Sequence, residues 1–116
     1  MTKLIALYRK PKDPQAFDRY YFSTHVPIAN KTPGLRGYEV SDGAVTALEG
    51  ESPYHLVALL SFDSMAALQH ALTTPESQAT AADLANFADG GVDLLMCETR
   101  EVFTDGGGTG PGRAEQ

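Results

Sequence analysis

The 116-residue chain holds one cysteine, Cys97, which rules out an internal disulfide and a zinc site built on paired cysteines. Basic residues are scarce: nine Lys and Arg stand against fifteen Asp and Glu, a formal net charge of −6. That balance opposes phosphate-dominated binding, so neither nucleic acid nor an anionic membrane surface is expected as a partner. Long apolar runs are missing as well. The segment Leu4 to Tyr8 stops at Arg9 and Lys10, too short for a secretory leader core. Nothing approaches the ~20 apolar residues that span a bilayer. The expected location is the cytoplasm, a reducing compartment.

Several chemical signatures are also missing. No two of the three histidines stand at a metal-binding spacing such as i, i+4, and there is no His-Glu-x-x-His, so no metal is expected. Ser23, Ser41 and Ser61 lie in no nucleophile-elbow sequence. No dinucleotide glycine fingerprint follows a strand, and Gly106-Gly107-Gly108 precede no helix. The expectation is chemistry without a bound cofactor.

What is present reads as a soluble globular protein: 42% hydrophobic and 21% charged residues. The size prior is one domain, assigned to residues 1–103, with a disordered glycine-rich tail over 104–116. Lys3 to Arg9 reads as a strand. Asp13-Pro14 then starts a helix, with a carboxylate at the N-cap and proline where its missing N–H costs nothing. Phe17, Tyr21, Thr24 and Ile28 follow at steps of four, three and four, the repeat of one helical face. Pro27 interrupts that helix, and the expected bend near His25 and Val26 leaves a backbone carbonyl beside His25. Leu35 to Ser41 and Tyr54 to Phe62 read as strands. Asp63-Ser64 caps a helix with Met65, Leu68 and Leu72 on one face. Thr74-Pro75 restarts a helix carrying Ala79, Ala82, Leu84 and Phe87, and Asp93 to Phe103 is the last strand.

The order β-α-β-β-α-β is the ferredoxin-like arrangement of an α+β fold. Its two helices cover one face of the sheet. The strands, however, are apolar on both faces: Leu4, Ala6 and Tyr8 alternate with Ile5 and Leu7, and Leu56, Ala58 and Leu60 with Val57 and Leu59. A wet face would place polar residues at every second position. The second face therefore predicts a partner sheet, in a homodimer packed face to face.

The segments KLIALYRKPKD, Phe17 through HVPIANKTPGLRGYEV (ending at Val40), and PESQATAADLANFADGG resemble the EthD family, over roughly Lys3 to Phe103. The most specific features are His25-Val26-Pro27, Pro33-Gly34-Leu35 and the tyrosine directly after Gly37. The resemblance implies a dimeric α+β barrel of ferredoxin-like subunits. It implies function less narrowly, since similar barrels run isomerisations, cyclisations, dehydrations, decarboxylations and cofactor-free oxidations.

His25 is the leading catalytic candidate: an imidazole, with its ordinary pKa of ~6.5, can give or take a proton at neutral pH. The alternative is a structural histidine that closes the bent helix. Tyr38 can hydrogen-bond a substrate carbonyl and stabilise a developing enolate, or can be a half-buried strand aromatic. Tyr8, Tyr21 and Phe62 are candidate substrate-binding aromatics of the same space. His55 is a candidate second polar group at its mouth, against a solvent-exposed histidine at a strand end. Cys97 reads as a packed small residue. The first 36 residues hold seven basic against two acidic side chains, and the remainder two against thirteen, a contrast suited to complementarity within and between subunits. The leading expectation is an enzyme acting on a small hydrophobic carbonyl compound. The alternative is a non-catalytic ligand carrier, or an accessory of an oxygenase system.

Overall fold

A computed structural model describes residues 1–105. The tail expected over 104–116 lies, from residue 106 onward, outside the described residues. Strand β1 is Thr2–Arg9, followed by helix α1, Pro14–Tyr20; a π-helical turn, Tyr21–His25, leads into the short helix α2, Val26–Ala29. Strands β2, Gly37–Val40, and β3, Tyr54–Phe62, come next. Helix α3 is Met65–Ala71 and α4 is Pro75–Asp83, continued by a 3-10 turn at Leu84–Asn86 before strand β4, Val92–Glu98. The sheet has four strands in the order β2-β3-β1-β4, every neighbouring pair antiparallel. This is the ferredoxin-like α+β topology.

The predicted starts of the helices are present and chemically explained. Asp13 Oδ1 accepts from the Ala16 N–H at 3.1 Å, Ser64 Oγ from Ala67 at 3.0 Å, and Thr74 Oγ1 from Ser77 at 3.2 Å. Each satisfies one of the donors a helix leaves open at its start, and Pro14 and Pro75 fill first-turn positions that need no N–H. Strand lengths differ modestly from expectation. Strand β2 is shorter than Leu35 to Ser41, although Arg36 and Ser41 still donate to the carbonyls of Ser61 and Val57, both at 2.8 Å. Strand β4 ends at Glu98 and not at Phe103, because β1 begins at Thr2 and the last pairing available is Thr99 N–H to the Met1 carbonyl at 2.9 Å. Gly90 is required by close approach: a Cβ there would lie 2.4 Å from the Lys10 carbonyl oxygen.

The first helical segment corrects the expected face. The buried residues are Phe17, Tyr21, His25 and Ala29, while Thr24 and Ile28 are only half-buried. In a regular α-helix each step of four overshoots a full turn by about 40°, so three such steps would carry Ala29 well round from Phe17. The wide turn, in which the Val26 N–H donates to the Tyr21 carbonyl, absorbs that drift and keeps the four on one face. Pro27 therefore does not break the helix: it occupies the first turn of α2, where no N–H is needed. Helices α3 and α4 also depart from their apolar pattern. Leu72 is exposed at the edge of α3, and Ala79 and Ala82 are exposed on α4, whose one buried side chain is Asp83.

The core lies between the helices and one sheet face, built from Ala6, Tyr8, Leu56, Ala58, Leu60 and Phe62 against Phe17, Tyr21, Leu68, Ala71 and Phe87. The register sets Ile5 beside Leu59 and Leu95, and Leu7 beside Val57, all on the opposite face, where no helix among the described residues covers them. Leu95 is 53% exposed. Around this apolar patch, Lys3 donates to Ser61 Oγ at 2.7 Å and Arg9 to Asp93 at 2.9 Å. Among the described residues, no helix is long and apolar enough to cross a membrane.

Candidate active site

Between the helical layer and the sheet lies a cavity of about 300 Å³. Leu4, Ala6, Ala58 and Leu60 form its floor, Ala29, Ala81 and Leu84 its roof, and Leu94 to Met96 of the edge strand one flank. The polar groups on the wall are Tyr8, Tyr21, His25, Tyr38, Ser77 and Thr80; among the described residues it contains no lysine, arginine or carboxylate side chain. Tyr8 and Tyr38 reach it from strands, and Tyr21 and His25 from the wide turn, which places the two side by side with ring centroids 5.3 Å apart.

Three phenols gather at one end. Tyr21 and Tyr38 share a hydrogen bond of 2.6 Å, and the Tyr8 ring meets that of Tyr21 edge-on at 5.5 Å. Tyr8 is 3% exposed, yet its hydroxyl makes no hydrogen bond among the described residues. Burial pushes all three phenols above the ordinary tyrosine value; for Tyr8 the neighbouring Tyr38 and Asp83 add to this, and for Tyr38 the bond from Tyr21 partly offsets it. They are therefore neutral at neutral pH and act as hydrogen-bond donors, not as bases.

His25 is 2% exposed. Its Nδ1 lies 2.9 Å from Asp83 Oδ2, and Nε2 has no protein partner among the described residues. Asp83 Oδ1 accepts from the Tyr20 hydroxyl at 2.6 Å and from the Asn86 amide at 2.9 Å. Burial works to raise the Asp83 pKa, but the bonds from Tyr20, Asn86 and His25 outweigh it and hold the carboxyl below its ordinary value. Phe87 packs on the imidazole with centroids 4.7 Å apart.

Four of the six predicted site residues thus meet in one cavity: His25, Tyr38, Tyr8 and Tyr21. Two do not. Phe62 is 1% exposed and packs in the core beneath the Gly34 turn, away from the cavity wall. His55 lies in a separate, open groove of about 780 Å³ under the β2–β3 loop, its Nε2 2.7 Å from Asp18. Its position at the start of β3 sends it to the other side of Phe17, whose ring it touches edge-on at 4.9 Å. The carbonyl expected beside His25 is replaced by the Asp83 carboxylate, a partner that sequence reasoning did not find. A signal existed: Ala79, Asp83 and Phe87 stand at steps of four, an acid on a face read as apolar. Cys97, expected to be packed, is exposed on the edge strand. Among the described residues no group of three or more His, Cys, Asp or Glu is placed to hold a metal ion.

Known proteins share this architecture. The cofactor-independent oxygenase SnoaB of Streptomyces nogalater matches with a TM-score of 0.62 at 15% identity, over 87% of this chain and 94% of its own, a likeness of fold. An ethyl tert-butyl ether D (EthD) family protein of Bacillus halodurans matches with a TM-score of 0.79 at 40% identity, over 86% of this chain and 99% of its own. The uncharacterized 11.0 kDa protein in the thcB-thcC intergenic region of Rhodococcus erythropolis is 38% identical over 104 residues, covering 89% of this chain and 99% of its own. The model of the EthD domain matches residues 9–91. The chain belongs to the EthD family.

Proposed function

We propose that the cavity is an active site for cofactor-independent proton transfer on a small, uncharged, hydrophobic carbonyl compound: an isomerisation, dehydration or cyclisation. One observation carries this reading. In a largely apolar wall, His25 Nε2 and the Tyr8 hydroxyl are buried without protein partners among the described residues. A buried polar group left unpaired costs roughly 1–3 kcal/mol, so such groups call for a ligand that completes them.

A substrate carbonyl oxygen placed at the phenol cluster accepts from Tyr8 and Tyr38, with Tyr21 donating into Tyr38. His25 Nε2 removes a proton from the carbon next to the carbonyl, and the oxygen that gains charge is met by phenols already aimed at it. Return of the proton at a different carbon gives isomerisation. Loss of a β-hydroxyl as water, protonated by the imidazolium, gives dehydration, and attack of the enolate on a second carbonyl of the same molecule gives cyclisation. A wall that, among the described residues, carries no cationic side chain favours uncharged substrates over carboxylates or phosphates. The fold shared with a protein described as a cofactor-independent oxygenase is compatible with chemistry carried by side chains alone.

In the same reading the working unit is a cytoplasmic homodimer, because Ile5, Leu7, Val57, Leu59 and Leu95 form an uncovered apolar face suited to a second sheet. Sedimentation equilibrium at micromolar concentration is expected to give twice the chain mass, and a stably folded monomer would overturn that part. For the chemistry, neutral ketones with exchangeable α-hydrogens are incubated with the protein in deuterium oxide and followed by proton NMR. Enzyme-dependent exchange is expected to fall by ~10²-fold or more in His25→Ala and by less in Tyr38→Phe. Binding of these ketones without exchange would identify a carrier instead.

A further inference from the structure

Asp83 lies behind the imidazole, on the side away from the cavity. We infer that it is a positioning residue for His25, fixing the hydrogen of the neutral ring on Nδ1 so that an unprotonated Nε2 faces the cavity. This rests on the reading of His25 as the proton-transfer group and assigns how the fold prepares it.

The geometry gives each carboxylate oxygen a separate task. Oδ1 is occupied by the Tyr20 hydroxyl and the Asn86 amide, at 2.6 and 2.9 Å, and Oδ2 by His25 Nδ1 at 2.9 Å. An ionised carboxylate can only accept, so the ring nitrogen that meets it must be the one that carries hydrogen. A neutral imidazole has a single N–H; with that hydrogen on Nδ1, the lone pair is on Nε2. The carboxyl is 6% exposed, and its three donors keep it ionised despite that burial. When Nε2 takes a proton, the imidazolium that forms lies against the negative charge of Asp83.

Ring orientation is held from the other sides. Phe87 lies at 4.7 Å from the imidazole and Tyr21 at 5.3 Å, so rotation about the side-chain bonds would have to displace both. Asp83 itself is not on the cavity wall, which separates positioning from contact with substrate. A pin between helices would already be supplied by Tyr20 on Oδ1. The use of Oδ2 for His25 alone, with Nε2 left open, goes beyond what a pin requires.

The ring nitrogens of ¹⁵N-labelled protein report the tautomer directly and need no substrate. At pH 8.5 the wild-type His25 signals, identified by their loss in His25→Gln, are expected to show a protonated Nδ1 and an unprotonated Nε2. In Asp83→Asn the side-chain amide can donate to Nδ1, and the two signals are expected to exchange assignments. The opposite tautomer in the wild type, or protons on both nitrogens at that pH, would overturn the inference. So would an unchanged pattern in a folded Asp83→Asn, since a merely structural role predicts no change there. If that variant does not fold, the wild-type spectrum alone decides. Failure here leaves the exchange assay on His25→Ala standing, so the positioning role and the proton-transfer reading can fail separately.

Discussion

The molecule contains the same pair of residue types twice, in two environments. His25 meets Asp83 inside the fold, with side chains 3% and 6% exposed, while His55 meets Asp18 at the surface, with 19% and 50%. The bond lengths, 2.9 and 2.7 Å, do not separate them. Surroundings do. Asp83 receives two further donors, its histidine turns toward a cavity a nitrogen without a partner among the described residues, and the shared bond is to Nδ1. Asp18 is half exposed to solvent, and its histidine uses Nε2. Removing water turns an ordinary His–Asp hydrogen bond into a fixed orientation, because every group must then be answered by the protein.

The contrast can be broken most forcefully at Asp83. Asp83→Ala leaves His25, Tyr20 and Asn86 without their shared acceptor and is expected to cost roughly 2–3 kcal/mol, read from urea unfolding. The same carboxyl sets the acid limb. Its pKa is lowered in the folded state, so its contribution is present above the ordinary carboxylate value of ~4 and is lost as pH falls through the folded value. Acid unfolding curves are expected to flatten in Asp83→Asn.

A smaller effect is expected at the phenol cluster. Tyr21→Phe removes a partly buried 2.6 Å bond and is expected to cost roughly 1–2 kcal/mol at neutral pH. The folded phenol has a raised pKa, so stability holds below the ordinary value of ~10 and drains away above it as the unfolded chain ionises first. Thermal melts between pH 9 and 11 should show a weaker alkaline fall in Tyr21→Phe than in the wild type. The least effect belongs to the surface pair: Asp18→Ala is expected to change stability by no more than about 0.5 kcal/mol, and 1 M salt should erase the difference. A loss comparable to that of Asp83→Ala would show that exposure is not what separates the pairs.

Much of the frame was legible because its signals are local. Asp13-Pro14, Asp63-Ser64 and Thr74-Pro75 mark helix starts, and the run Tyr54 to Phe62 marks a strand whose limits agree with the structure. His25 and Tyr21, one turn apart, were readable as neighbours. Phe62 was misplaced, since an aromatic on the helix-facing side of a strand can lie under the helices or beside a cavity, and alternation does not distinguish the two. For His55 both a place at the cavity mouth and one in solvent stood open, since a position at a strand end says nothing about which groove the β2–β3 loop will build.

Taken alone, the order of residues determined the strands, the helix starts, the ferredoxin-like succession and the short list in which His25, Tyr8, Tyr21 and Tyr38 already stood. Tertiary structure decided that Asp83, 58 residues further along, would be the imidazole's partner. It also decided that the wide turn at Tyr21–His25 would rotate the histidine inward. The physical reason is range. Periodicity and capping act over a turn or two of backbone, whereas a contact between helices depends on how each is rotated about its own axis, and packing sets that rotation.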